Sequence, residues 1–108
     1  MATHRKDSRF KPAGDLTIRA ARTLKVDLLE HMSSASTIVV DLPDQFLVDL
    51  SFVQTIESAR VFADREGKSL SLARPAGGPL HDVLQRGGLI EGMSAQDRQF
   101  WLHQGETQ

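Results

Sequence analysis

Apolar residues in this chain follow two spacings, and the changes between them mark its elements. Thr37-Ile38-Val39-Val40 is a β-branched run, too short for a helix and apolar on both faces, which predicts a buried strand. Asp41, Pro43 and Asp44 stop it, because proline removes a ladder donor and Asp side chains favour turns. Phe46-Leu47-Val48 resumes an extended path. Beyond Asp49 the period lengthens to about 3.6 residues. Phe52, Ile56, Ala59 and Ala63 then share one helical stripe, widened by Val53 and Phe62, and Gly67 closes the helix in the left-handed position. Asp49 or Ser51 can cap its start, since a side-chain oxygen there meets an unpaired N–H of the first turn.

The flanks repeat the alternation. Phe10 to Leu16 reads as extended, with Pro12 disfavouring helix at Lys11 and Gly14-Asp15 marking a turn. Thr17 caps a helix whose buried face is Ile18, Ala21, Leu24, Leu28 and Met32, with Leu29 beside it; Arg19, Arg22, Lys25 and Glu30 point away. In the second helix Glu57 and Asp64 are both spaced to pair with Arg60. Ser69 to Leu72 alternates as a strand, and Pro79 opens a short helix carrying Leu80, Val83 and Leu84 that ends at Gly87-Gly88. Leu89 and Ile90 are expected to tuck under the sheet. Ser94 and Asp97 form a capping box for a last helix through Phe100-Trp101-Leu102. These two aromatics pack on the domain's own edge or meet a partner. The predicted fold class is α/β: a sandwich with a mixed sheet of about four strands, helices mainly on one face, and a short C-terminal helix.

A chain of 108 residues makes one small domain. The expected division is a flexible tail over residues 1–9, the domain over 10–92, and a C-terminal helix and tail over 93–108. No cysteine is present, so disulfide and thiol chemistry are excluded, and the expected location is the cytoplasm. No apolar run reaches bilayer length, and a net charge of −1 gives no general attraction to nucleic acid or anionic membrane. Asp41, Asp44 and Asp49 have no nucleophile paired with them, and His4, His31, His81 and His103 lack ligand spacing. The Gly-rich loop from Pro75 to Pro79 lacks the Lys-Ser/Thr ending of a phosphate loop. Neither a catalytic set nor a cofactor or metal is expected.

Several short segments together resemble the STAS domain. This is the fold of bacterial anti-sigma factor antagonists and of small proteins attached to lipid-transport and chemotaxis systems. Asp41-Leu42 matches the family's strand end, and Asp49-Leu50-Ser51-Phe52-Val53-Gln54 matches its Asp-Ser-(Ser/Thr/Ala)-Gly-Leu helix start. Gly14-Asp15-Leu16-Thr17-Ile18, Leu70-Ser71-Leu72 and Gly87-Gly88-Leu89 agree in order and spacing, so the resemblance covers residues 10–92. It implies a non-enzymatic binding module for an ATP-binding, histidine-kinase-type protein, such as a chemotaxis kinase or an anti-sigma factor. The alternative is an accessory subunit of an ABC-type lipid transporter ATPase. The implied partner face is Asp44, Asp49, Leu50, Ser51, Phe52, Gln54, Thr55 and Ser58. Two residues depart from the family pattern. Leu50 occupies the position of the phosphorylated hydroxyl, leaving Ser51 as a cap or a substitute acceptor. Phe52 replaces a glycine, so it either fills the core or anchors a partner. Weak self-association is a further expectation.

Overall fold

A computed structural model describes residues 7–104. Three strands, β1 (Asp7–Phe10), β3 (Thr37–Val40) and β5 (Ser69–Leu72), form a parallel sheet in the order β1-β3-β5. Two short strands, β2 (Asp15–Leu16) and β4 (Leu47–Val48), pair in parallel as a second sheet. Parallel neighbours need a crossover. The helix α1 (Ala21–Ser34) supplies one between β1 and β3, and α2 (Leu50–Glu66) supplies the other between β3 and β5. The α/β sandwich therefore stands, with one difference in detail. The sheet expected to be mixed is parallel at every described pairing, and the described residues form five strands, three in one sheet and two in the other. Strand direction follows from the connections, and residue alternation does not encode it.

Register puts Phe10, Val40 and Leu72 side by side on one face, all buried, with Ile38 buried beside Leu70 one step away. The opposite face carries Arg9, Val39 and Ser71 and stays partly open, so the helices cover mainly one side. Leu24, Leu28 and Met32 of α1 and Phe52, Val53, Ile56, Ala59 and Ala63 of α2 fill the covered side. Gly67 takes φ 69° at the end of α2, as its position in the stripe requires.

The start of the domain needs correction. Asp7, Ser8 and Arg9 were expected in the tail, yet they belong to β1 and pair with Thr37, Ile38 and Val39. An edge strand with one buried residue, Phe10, shows no apolar alternation from which to read it. The remainder of the expected tail, residues 1–6, and the chain end, 105–108, lie outside the described residues.

Beyond α2, the helix α3 (Gly78–Arg86) buries Leu80 and Leu84, with proline in its first turn. Leu89 remains exposed, whereas Ile90 packs against the core. The last segment is a single helical turn, α4 (Ala95–Asp97), capped by Ser94, running into a π-helical turn over Arg98–Leu102. That segment is part of the core: Phe100 and Trp101 are both buried. The Trp101 indole N–H donates to Glu57 at 2.7 Å, and the Ala76 N–H donates to the Trp101 carbonyl at 2.7 Å. Arg60 joins α2 to this segment, 3.0 Å from Glu57 and 3.0 Å from Asp97, with its guanidinium 4.4 Å from the Phe100 ring centre. The Glu57–Arg60 pair is as spaced; Arg60 reaches Asp97 where Asp64 was expected.

Candidate docking surface

The corner between β4 and α2 is built around Asp49. Its φ of −139° and ψ of −175° hold it extended at the N-cap, so its carboxylate folds back over the first turn. One oxygen accepts from the Ser51 backbone N–H at 3.0 Å and from the Ser51 hydroxyl. The other accepts from the Ile18 N–H at 3.0 Å, which ties the start of the α1 segment to the start of α2. Of the two candidate caps, the chain uses Asp49, and Ser51 serves as its donor. At the other corner Asp15 accepts from the Thr17 N–H at 3.0 Å and from the Thr17 hydroxyl at 2.6 Å.

These bonds favour the charged carboxylates. The Ser51 hydroxyl, followed by the Ile18 N–H, holds Asp49 below its ordinary value of 3.8, and Thr17 does the same for Asp15. The unfolded chain therefore takes up protons first as the pH falls. The stabilisation is complete above about pH 4 and is lost as the pH drops through the depressed folded values. An Asp49→Asn variant keeps an acceptor but loses the charge. In urea unfolding across about pH 6 to pH 2, its stability deficit should be largest near the neutral end and close towards the acid end. A deficit that stays constant across that range would assign the role of Asp49 to geometry alone.

Helical geometry sorts the remaining residues. At about 100° per residue, positions two apart point to opposite sides. Leu50 accordingly lies outward, 44% exposed, while Phe52 lies inward at 1%. Of the two roles expected for Phe52, the structure has it filling the core. The outer ridge of α2 is Leu50, Gln54 and Ser58, flanked by two grooves. One, about 610 Å³, lies towards α3 and the chain end and includes Leu50, Val53, Leu89 and Met93. The other lies towards α1 and includes Ser51, Thr55 and Ile18. Five of the eight expected partner residues, Leu50, Ser51, Gln54, Thr55 and Ser58, thus share one surface, with Asp49 fixing its end.

Asp44 belongs elsewhere. It is exposed and pairs with Arg74 at 3.1 Å, beside Asp41, which holds Arg9 at 3.2 Å. These carboxylates tie loops at the ends of β3 and β5. The sequence reading missed Ile18. It was expected on the apolar stripe of the first helix, but it lies in a 3-10 turn over Ile18–Ala20 ahead of α1 and is 67% exposed. Among the described residues no group of three or more His, Asp or Glu is placed to hold a metal ion, and no helix is long and apolar enough to cross a membrane.

Neither the curated proteins nor the solved structures give a match to this chain. A family model described as "Mlab, STAS domain" matches residues 2–93. With the Asp-capped corner and the α/β sandwich around it, this places the chain in the STAS domain family.

Proposed function

We propose that this STAS domain is a non-enzymatic signalling module that holds an ATP-binding, histidine-kinase-type partner, a chemotaxis kinase or an anti-sigma factor, through an ungated contact. STAS domains are protein-interaction modules, and the surface that serves this purpose here is the ridge of α2 with its capped corner. The observation that carries the reading is Leu50, an exposed apolar side chain at the family's phospho-acceptor position. Ser51 is a poor substitute acceptor, because its hydroxyl already donates to Asp49. A phosphate added there would bring nearly two further negative charges against that carboxylate. Desolvating a leucine on the partner's surface gives attraction without charge, and no kinase reaction switches it off.

The second reading, an accessory subunit that steadies the ATPase of an ABC-type lipid transporter, is favoured by the description of the family model that matches. Both readings use the same ridge, so one experiment tests them. The tagged chain is used to capture partners from its native cells, beside a Leu50→Asp variant, with bound proteins and any phosphate on Ser51 identified by mass spectrometry. The expected result is one ATPase, lost from the variant by about tenfold or more, and no phosphate on the wild-type chain. A histidine-kinase-type ATPase supports signalling, and an ABC ATPase supports transport. Equal capture by both chains, or stoichiometric phosphate on Ser51, would overturn the ungated contact.

A further inference from the structure

The groove between α1 and α2 is about 390 Å³ in volume and has an apolar floor and an asymmetric rim. Ala21 and Ala59 are small where the helices face each other, so the channel opens down to the buried Leu28. Ile18 and Leu29 stand along the α1 side, 67% and 41% exposed, and Phe62 closes the α2 side. The α2 rim is uncharged. Lys25 is the one charged side chain among the lining residues, and Arg22 lies one turn before it on the exposed side of α1. Neither has an ion-pair partner among the described residues, and no carboxylate lines the channel.

Two adjacent helices with small residues between them offer a channel that the ridge of a third helix fills. The bare cations on one rim set its charge. An isologous contact with a second copy would bring the same patch of each chain together, cation against cation. A partner bearing carboxylates on one flank would be attracted instead, and wrong partners repelled.

We infer that this groove receives an acidic amphipathic helix of the partner. Its apolar side chains at i, i+3 or i+4, and i+7 enter the floor, and its Asp or Glu flank faces Lys25 and Arg22. The inference rests on the docking reading above and extends the contact from α2 to α1.

The test uses the full chain, isotopically labelled, and two synthetic helical peptides of about 16 residues, long enough to form a helix when bound. One carries a leucine stripe flanked by Glu, and in the other every Glu is Lys. The acidic peptide should shift the amide signals of Ile18, Lys25, Leu29, Thr55 and Phe62. Its affinity should fall by about tenfold or more in an Arg22→Glu, Lys25→Glu double variant, which should in turn take up the basic peptide. Equal binding of both peptides, absence of binding by the acidic one, or shifts confined to other faces would overturn the inference. So would sedimentation showing a dimer that protects these same amides, which would assign the groove to a second copy. The two readings fail separately. If the captured ATPase is lost from Leu50→Asp but retained by the charge-reversed variant, the docking module stands and the acidic helix falls. If the peptide result holds and Leu50→Asp has no effect on capture, the reverse is true.

Discussion

Trp101→Ala is expected to lower the unfolding free energy by about 3–5 kcal/mol, the usual cost of removing a large aromatic side chain from a packed core. Trp101 is 1% exposed, and it is the largest of the fully buried side chains. Its loss removes the contact with Phe100, whose ring lies edge-on 5.0 Å away, and the N–H that donates to Glu57. Glu57 itself suffers little, since its side chain is partly solvated and Arg60 remains beside it. The cost is therefore mainly a cavity. Single small domains have about 5–15 kcal/mol in total, so the variant should melt on the order of 15 °C or more below the parent. Trp101→Phe keeps most of the volume and loses only the donor, and should cost about 1–2 kcal/mol. Thermal unfolding followed by circular dichroism checks both. A drop of only a few degrees for Trp101→Ala would mean that the C-terminal segment is an appendage.

That outcome bears on where this domain ends. The family match stops at residue 93, yet its core is completed by a side chain from beyond that point. The sequence shows the pieces of this arrangement but not their meeting. Ser94 and Asp97 announce the last helical turn, and the structure has Ser94 accepting from the Asp97 N–H at 3.1 Å. That Trp101 lands on Glu57, 44 residues earlier, is a tertiary fact that no local spacing contains.

Local spacing carried a good deal elsewhere. The stripe Phe52, Ile56, Ala59 and Ala63 is buried throughout, as is the Leu24, Leu28, Met32 run of α1. The stop after Val40 and the glycine closing α2 are likewise where turn chemistry puts them. What escaped were elements whose residues lack a period of their own. The first strand presents one buried side chain in four, and Ile18 lies in a 3-10 turn ahead of the regular helix. The surface of α2 was legible as a set of neighbours, but Asp44 joined it by family analogy rather than geometry, and Arg74 holds it in another loop cluster.

Phe52→Ala separates fold from docking at the same corner, and it should act entirely on the fold. Phe52 occupies the position where the family pattern has glycine, and two accounts of it were open: filler of the core or anchor for a partner. Leu50 and Phe52 are two residues apart on one helix, so at most one can face out, and the exposed one is Leu50. Truncation of Phe52 should cost about 3–5 kcal/mol and bring a matching fall in melting temperature. Leu50→Ala, losing an exposed side chain, should change stability by no more than about 0.5 kcal/mol. Partner affinity should follow the opposite order. Measured by calorimetry at a temperature where both variants are folded, Phe52→Ala should bind within about twofold of the parent, while Leu50→Ala should bind roughly tenfold more weakly. Weak binding by a fully folded Phe52→Ala would show that the ring reaches the interface after all. Unchanged binding by Leu50→Ala would leave the corner without its apolar contact and remove the basis for an ungated module.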